Sequence, residues 1–403
     1  MPSAKNSTDR LRILHTADWH AGRSLMGRDR LEEIRGALGE ILEAAREYAV
    51  DLVIVAGDLF EQRNPPAAAE AAVWEFFSAL GRAGIPSVVI AGNHDSPARL
   101  DAVAGLLAGA GAHVVGEIRT SDRGGIYENT VRGIPLRVAA VPFASERRVL
   151  RADLQREKTD AEKKPEYRQQ MGRLISDLTG GFTNSSVNVL TMHGTMEGAR
   201  LSRTEYEFYS SEHYTLGSTL IPGSVQYVAL GHIHEPQDVP GLAANRGRYS
   251  GSLIQLDFGE AGQEKFVWIV ELAPGRPAET VARVPVRSGR QLAERTVRPE
   301  DLERLTPELA RHEGWLKLRL RLSEPRPGLR ERIMRELPNV VAVVGSIDAM
   351  EEEEEEDENA GRPLDLPAEY ERWWQQERQR LPGSRTTAAF RELLELTAEG
   401  DGQ

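Results

Sequence analysis

Six short apolar runs recur along the first 270 or so residues, separated by polar loops and helical stretches. They are rich in Val, Ile and Leu and do not alternate, which is typical of strands buried on both faces of a helix-flanked sheet. The runs occupy residues 11–16, 51–57, 85–92, 136–143, 187–194 and 226–233. Between them, Leu31–Tyr48 and Ala67–Arg82 have the apolar spacing of amphipathic helices. This pattern predicts an α/β domain with a layered core over residues 1–280.

The pattern changes after Val284. The stretch "WLKLRLRLSE" (315–324) alternates apolar and basic residues with period two, as a half-exposed strand does. Residues 327–337 have the spacing of an amphipathic helix that begins at Pro327, and residues 339–347 form another apolar run. We therefore expect a small α+β domain with one basic surface over residues 281–348.

An acidic run, "EEEEEEDE" (351–358), follows this domain. Like charges repel and cannot pack, so residues 349–362 are expected to form a solvated linker. Beyond it, residues 363–403 contain two helical stretches broken by "LPGS". Their large apolar residues either dock on the same chain or enter a groove of a partner.

Composition narrows the class of protein. The net charge is −12, but the acidic run supplies −8 of it, and residues 283–337 carry fourteen Arg and Lys against nine Asp and Glu. Net charge therefore does not exclude a polyanionic partner. The absence of cysteine excludes disulfides and zinc–thiolate sites. The polar N-terminus and the lack of a long apolar run predict a cytoplasmic protein that is neither secreted nor bound to a membrane.

Chemically useful side chains follow five of the predicted strands. Because ligands bind outside the carboxyl ends of strands in open α/β sheets, we expect these side chains to project towards one crevice. The first five are Asp18, His20, Asp58, Asn93 and His94, and the remaining four are Asp95, His193, His232 and His234.

Carboxylate, amide and imidazole groups without sulfur suit manganese, iron or zinc better than calcium. Seven such ligands exceed the needs of one four-coordinate metal and fit two ions about 3.5–4 Å apart, with one carboxylate bridging. Residues two apart on extended backbone point the same way, which fits the pairs Asp18/His20 and His232/His234. The glycines before Asp58, Asn93 and His232 allow sharp turns close to the ions.

Each residue alone has a structural alternative. A strand-end Asp58 or Asn93 is usually a turn former, and a lone His193 is usually a satisfied polar residue. The occurrence of all five loops together favours a metal site. Four other histidines are expected to be structural or on the surface, and they are His15, which lies inside the first predicted strand, His113, His213 and His312.

The order D-x-H, G-D, G-N-H-D, H and G-H-x-H resembles the signature of calcineurin-like metallophosphoesterases. Within that superfamily, "ILHTADWHAG", "VAGDLFE", "AGNHDSP" and "ALGHIHEPQ", with the later "YSGSLIQLDFGE", are similar to the SbcD family of nuclease subunits from bacterial SbcCD DNA-repair complexes. The resemblance implies a layered β-sandwich flanked by helices, an α+β capping domain and a C-terminal helical tail.

The resemblance also implies roles for the strand-end residues. It assigns two divalent ions, inferred to be manganese, of which the first is held by Asp18, His20, Asp58 and His234. The second is held by Asp58, Asn93, His193 and His232. His94 matches the histidine that assists departure of the leaving oxygen, and Asp95 would orient it. The chain departs from archaeal members at Glu61, where they carry another histidine, so the role of this position is open.

By the same resemblance, the expected activity is exonuclease and endonuclease cleavage of double-stranded ends, hairpins and single strands of DNA, in break repair and recombination. The expected partner is the SbcC coiled-coil ATPase, bound by the tail through Trp373, Trp374, Phe390 and Leu394. A nucleoid-associated heterotetramer built on a homodimer is also implied. Ala67–Arg82, with Trp74, Phe76 and Phe77, is a candidate for the dimer face, although burial in the same subunit explains these residues equally well. Arg319 and Arg321 share one side of the alternating strand and are hypothesised to face DNA.

Two alternatives remain open at this stage. One is another phosphoesterase on the same scaffold, either a cyclic-nucleotide phosphodiesterase or a phosphatase. Phosphoprotein phosphatases resemble one another in G-D-x-x-D-R-G and G-N-H-E, whereas this chain reads "GDLFEQR" and "GNHDSP". The other is a DNA-binding scaffold whose metal site is structural or inert.

Overall fold

A computed structural model describes residues 9–145, 148–149, 160–201, 215–324 and 326–347, together with the single positions 374 and 386. The chain forms two compact units, residues 1–345 and residues 346–403. Nearly all of the second unit lies outside the described residues.

The first unit contains two six-stranded sheets. In spatial order, the first sheet consists of β14 (Glu279–Pro285), β13 (Phe266–Leu272), β1 (Leu11–Thr16), β4 (Leu52–Val55), β5 (Ser87–Ile90) and β6 (Ala112–Val115). The strands from β1 to β6 in this sheet run parallel, whereas β13 is antiparallel to both β1 and β14. The edge strand β14 crosses the expected domain boundary at residue 280, since it completes this sheet.

The second sheet has a similar plan. In spatial order it consists of β11 (Gln237–Asp238), β12 (Gly247–Tyr249), β10 (Tyr227–Gly231), β9 (Val187–His193), β8 (Ile134–Val141) and β7 (Ile126–Val131). The central strands β8, β9, β10 and β12 are parallel to their neighbours in this group. A separate hairpin joins β2 (Ser24–Leu25) to β3 (Arg28–Asp29).

The two sheets pack face to face with helices outside them. Alternate residues of β1 and β4, such as Ile13 and Ile54, are fully buried against residues of the second sheet, such as Val189 and Ala229. The outer face of the first sheet is covered by α1 (Leu31–Glu47), α2 (Ala67–Arg82) and α3 (Pro97–Ala108), and that of the second by α4 (Asp160–Thr179). Burial on both faces explains the non-alternating apolar runs, and the expected layered sandwich is confirmed.

The sandwich is also joined by a buried polar contact at its centre. His15 is fully buried on β1, where its Nε2 donates to the carbonyl of Leu230 (3.1 Å) and its Nδ1 accepts from the Tyr227 hydroxyl (3.0 Å). Both partners lie on β10 of the other sheet, and burial lowers the pKa of His15 to about 3. A neutral imidazole therefore bridges the sheets, which is the structural role expected of His15.

The aromatic residues of α2 pack within their own chain. Phe76 and Phe77 are 4% and 1% exposed, and both rings contact the ring of Trp19, with centroids 5.2 and 5.8 Å away. Trp74 is partly buried against Phe60. Since Phe76 and Phe77 lie in the core, they cannot form the dimer face considered for this helix, and that interpretation is wrong for them.

A three-stranded sheet follows, in the order β15 (Leu292–Val297), β16 (Trp315–Leu322) and β17 (Val340–Ile347). Along β16 the apolar residues are buried and the basic ones lie nearer solvent, as the period-two pattern predicts. The sheet packs with α5 (Leu302–Arg311) and α6 (Leu329–Glu336). The last helix begins two residues later than predicted, because Gly328 before it adopts a φ of 80°. Among the described helices, none is long and apolar enough to cross a membrane.

Candidate metal centre

The loops after β1, β4 and β10 place four predicted ligands in unusual backbone conformations. Asp18, His20, Asp58 and His232 have φ values of 52°, 48°, 51° and 101°, in the left-handed region that residues other than glycine seldom adopt. Backbone hydrogen bonds hold two of these loops together, since the N–H groups of Asp18 and His20 donate to the carbonyls of Gly57 (3.0 Å) and Asp58 (3.1 Å). Such strain is often found at functional sites.

Two glycines allow the loops to approach this closely. Gly57 has a φ of 94°, and a Cβ there would overlap the ring of His193. A Cβ on Gly92 would overlap the carboxylate of Asp58. Both glycines precede predicted ligands, so the expectation of tight turns at these positions agrees with the structure.

The structure brings all seven predicted ligands together, although they come from both sheets. Asp18, Asp58 and His193 offer ligand atoms within 4.8 Å of one another, and so do Asp18, His20 and His234. The amide oxygen of Asn93 lies 2.9 Å from Nε2 of His193 and 2.9 Å from Nδ1 of His232. Convergence therefore depends on the packing of the sandwich, since His193, His232 and His234 follow β9 and β10 of the second sheet.

Asp58 lies at the centre of this cluster. Its Oδ2 is 3.7 Å from Nε2 of His20 on one side and 3.3 Å from Nε2 of His193 on the other. Nε2 of His20 is buried and has no hydrogen-bond partner. A buried imidazole nitrogen that faces a carboxylate without a hydrogen bond fits a metal ligand, and the position of Asp58 between two imidazoles fits a bridging carboxylate.

Burial and mutual charge set the protonation of these groups. Burial raises the pKa of Asp18 to about 7, and it lowers the pKa of His20 to about 4 and that of His232 to about 3. Burial also disfavours the charged forms of Asp58 and His193. The electrostatic attraction between the two side chains outweighs this effect, so the pKa of Asp58 is lowered and that of His193 is raised to about 9. His20 and His232 are therefore neutral at pH 7, the form in which imidazole binds a metal.

Second nitrogen atoms of three ligand histidines are held by hydrogen bonds. Nδ1 of His20 donates to the carboxylate of Glu61 (2.9 Å), and Nδ1 of His193 donates to the carbonyl of Ala56 (2.7 Å). Nδ1 of His234 donates to the carboxylate of Glu260 (2.9 Å). Such partners fix the tautomer and the ring orientation of metal-binding histidines, leaving Nε2 for the ion. Glu61, whose role the sequence left open, therefore orients His20.

Glu260 is a functional residue that sequence reasoning missed. It is fully buried, and its other oxygen accepts from the Lys265 ammonium (2.7 Å), the Ser252 hydroxyl (3.0 Å) and the Leu256 amide (3.1 Å). Burial opposes its charge, but Lys265 and the bond from His234 prevail and lower its pKa. The only signal in the sequence was the position of Glu260 in the stretch "YSGSLIQLDFGE". This stretch does not directly follow a predicted strand, as the predicted ligands do.

His94 and Asp95 take different roles. The half-buried His94 donates from Nδ1 to the carbonyl of Glu61 (2.8 Å), and its N–H donates to Asp58 (2.8 Å). The buried carboxylate of Asp95 accepts from the backbone N–H groups of Leu59, Phe60 and Gly92 (3.2, 3.0 and 2.9 Å). A backbone carbonyl therefore holds the ring of His94, and Asp95 joins the loops on either side. The orientation of His94 by Asp95 stays a prediction.

The predicted DNA-binding residues lie on β16. The guanidinium of Arg319 pairs with Glu294 (2.8 Å), which also accepts from Lys317 (3.3 Å), while Arg321 is exposed farther along β16. Trp373, Phe390 and Leu394 lie outside the described residues, and Trp374 is described only as a helical position. The predicted DNA and partner contacts therefore remain predictions.

Comparison with known proteins identifies the family. The model of the calcineurin-like phosphoesterases matches residues 11–236, more than half of the chain, and that range contains every predicted ligand. The chain belongs to the calcineurin-like phosphoesterase family. Members of this family hydrolyse phosphoesters with divalent metal ions, so this metallophosphoesterase is an enzyme that uses such ions, as the strand-end residues predicted.

Curated relatives of this metallophosphoesterase cover most of its length. It is 37% identical over 286 residues to the SbcD component of nuclease SbcCD from Bacillus subtilis (strain 168), spanning 70% of this chain and 71% of the relative. It is 30% identical over 310 residues to the corresponding component from Escherichia coli (strain K12), spanning 76% and 74%. The resemblance to the SbcD family is confirmed. A dimetal phosphatase from Danio rerio aligns with 68% of this chain and 98% of its own at 12% identity, with a TM-score of 0.38.

Proposed function

We propose that this chain is a metal-dependent DNA nuclease that cleaves double-stranded ends and hairpins, acting with an ATPase partner in break repair. The observation that carries the proposal is the position of Asp58 between His20 and His193, inside a cluster of ligands from both sheets. The likeness to SbcD nucleases over 70% of the chain supports DNA as the substrate.

The first set of ligands would be Asp18, His20, Asp58 and His234, and the second Asp58, Asn93, His193 and His232. When bound, divalent ions supply charge neutralisation of the phosphodiester and activation of water. The oxygen and nitrogen ligands tolerate several metals, and we propose manganese.

The chain's own residues would orient and protonate the substrate. His94 would donate a proton to the leaving oxygen, and the bond from its Nδ1 to a backbone carbonyl orients the ring for this role. Phe143 stacks on His232 with centroids 6.0 Å apart and meets His193 edge-on at 6.1 Å. This apolar ring limits the access of water to one side of the ligands.

The proposal extends to assembly and location. We propose that residues 363–403 bind the coiled-coil base of an SbcC-type ATPase, that two copies of this chain form a homodimer within a heterotetramer, and that the complex is cytoplasmic. Support comes from the names of the relatives, which identify each of them as one part of SbcCD.

The decisive experiment is digestion of end-labelled duplex DNA with added Mn²⁺, with and without the ATPase partner. We expect cleavage by the wild-type protein, and its loss in the Asp58→Asn variant. Hydrolysis of cyclic nucleotides or of phosphoserine peptides in parallel reactions, without cleavage of DNA, would establish another phosphoesterase instead. Tight DNA binding with no hydrolysis of any phosphoester would establish a scaffold.

A further inference from the structure

A large cleft lies beside the sandwich, between its β13–β14 edge and the three-stranded module. Its volume is about 1030 Å³. Three segments line it: residues 262–266 before β13, residues 283–291 between β14 and β15, and residues 311–314 between α5 and β16. None of the predicted metal ligands lines it, so the cleft is distinct from the metal centre.

Arginine side chains dominate the charge of this cleft. Arg283, Arg287, Arg290 and Arg311 line it, and each is exposed. Within the described part of the chain, none of these four guanidinium groups forms a salt bridge with a carboxylate. Two acids, Glu264 and Glu313, also line the cleft, so four arginines face two carboxylates there. In a chain with a net charge of −12, this is a local excess of positive charge.

Two of the arginines are held in place by aromatic rings. The guanidinium of Arg283 lies 5.5 Å from the ring centre of Phe266 and 5.8 Å from that of Trp268, while that of Arg290 lies 4.5 Å from Trp315. Cation–π contacts of this kind orient a guanidinium without neutralising its charge. Its N–H groups remain able to bind an anion.

The backbone of the lining segment is also fixed. The N–H of Arg287 donates to Glu40 (2.8 Å) and that of Arg290 donates to Glu33 (2.7 Å), both on α1. These bonds tether the segment between β14 and β15 to the sandwich while its guanidinium groups line the cleft. A positively charged surface that is ordered before binding loses less entropy when a ligand arrives.

One residue connects the wall of the cleft to the metal centre. Lys265 lines the cleft, and its ammonium group donates to the carbonyl of His234 (2.9 Å) and pairs with Glu260 (2.7 Å). The cleft therefore begins directly behind a predicted metal ligand.

We propose that this arginine cleft binds the phosphate backbone of nucleic acid beyond the scissile bond. Planar guanidinium groups match phosphate geometry, and a volume of about 1030 Å³ accommodates an extended polyanion rather than a single phosphate. This proposal rests on the proposed nuclease function. The proposed contacts with the nucleic-acid phosphates are made by arginines without acidic partners. Arg319 differs from them, because Glu294 neutralises its charge.

The test is the salt dependence of duplex binding by an Arg287→Gln/Arg311→Gln variant, measured by fluorescence anisotropy in EDTA. Loss of two phosphate contacts is expected to flatten the slope of log affinity against log salt by about 1.8 and to weaken binding roughly tenfold to a hundredfold. The matched control is Arg82→Gln/Arg123→Gln, which removes the same charge from exposed positions on α2 and in the turn before β7.

Equal effects of the two variants, or an unchanged slope, would overturn the proposal. The proposal would also be overturned if the Arg287→Gln/Arg311→Gln variant lost binding of polyglutamate but bound duplex DNA normally. That result would show that the cleft binds an acidic protein. Hydrolysis of bis(p-nitrophenyl) phosphate should be unchanged in the cleft variant. A wild-type protein that binds duplex through the cleft but cuts no DNA refutes the nuclease function alone, whereas normal cleavage with an unchanged slope in the variant refutes the cleft alone.

Discussion

Replacing Glu260 with glutamine tests whether a residue beyond the ligands controls metal binding. The substitution keeps the shape of the side chain and removes one charge. The wild-type carboxylate receives four hydrogen bonds while fully buried: one oxygen accepts from His234, and the other accepts from Lys265, Ser252 and Leu256. A glutamine has one oxygen and one NH₂ group, so it cannot accept at both positions.

The amide oxygen is expected to face the three donors, because that orientation preserves most of the hydrogen bonds. The NH₂ group then faces Nδ1 of His234, which must change from donor to acceptor. In a neutral imidazole the proton moves to Nε2, the atom required for the metal. Glu260→Gln is therefore expected to disable His234 without changing any ligand.

The size of the effect follows from these contacts. Loss of a hydrogen-bonded partner of a metal-binding histidine lowers metal affinity roughly 10–100-fold. The substitution also leaves the Lys265 ammonium, 3% exposed, without its carboxylate. Breaking a buried ion pair from one side destabilises a protein by about 3–5 kcal/mol. Folding and metal affinity should thus both weaken, for different reasons.

Isothermal titration with Mn²⁺ and urea unfolding of the metal-free protein separate the two effects. The control is Glu260→Gln/Lys265→Met, which removes the unpaired ammonium and should recover much of the stability but none of the metal affinity. The reasoning fails if Glu260→Gln binds two ions with wild-type affinity, or if restoring stability in the double variant also restores the affinity.

Three further predictions address the same region. Because the pKa of Asp18 is raised to about 7 and that of His193 to about 9, both hold protons near neutral pH, and Mn²⁺ affinity should rise from about pH 6 to 9; a flat titration profile would contradict this. His94→Gln should still bind two ions yet hydrolyse DNA about 10²–10⁴-fold more slowly; full activity would remove its catalytic role. His15→Ala should lose about 1–3 kcal/mol in urea unfolding, since it leaves the Tyr227 hydroxyl buried and unpaired, whereas the Leu230 carbonyl keeps its bond from the Ser250 N–H; an unchanged midpoint would refute the bridge.

Much of the first sheet and of the ligand set could be predicted from the sequence, because burial on both faces produces continuous apolar runs. Leu11–Thr16 and Ala67–Arg82 were predicted with their observed bounds. The strand Phe266–Leu272 is apolar but was not predicted, because the series of predicted strands stops at residue 233. The partly exposed strand Ile126–Val131 has too weak a pattern to mark it.

The pairing of strands could not be read from the runs themselves. The pattern treats His193 and Asp58 as ends of similar buried strands, yet one strand lies in each sheet. Their Nε2–Oδ2 distance of 3.3 Å depends on how two sheets stack, which involves contacts between residues more than a hundred positions apart. Glu260 was not predicted either, because its contact with His234 depends on the fold of a loop and not on a periodic position.

The position of the site at the junction of the two sheets links metal binding to the integrity of the sandwich. Asp18 and Asp58 are 0% and 1% exposed and lie close to each other, an arrangement that burial alone disfavours. In the metal-free protein a proton on His193 compensates part of this charge, as the raised pKa of that residue indicates. Bound cations would replace that proton and attract ligands from both sheets at once. Four ligands have left-handed backbone, a strained conformation that the packing of the two sheets imposes. The free energy of cation binding would offset this strain.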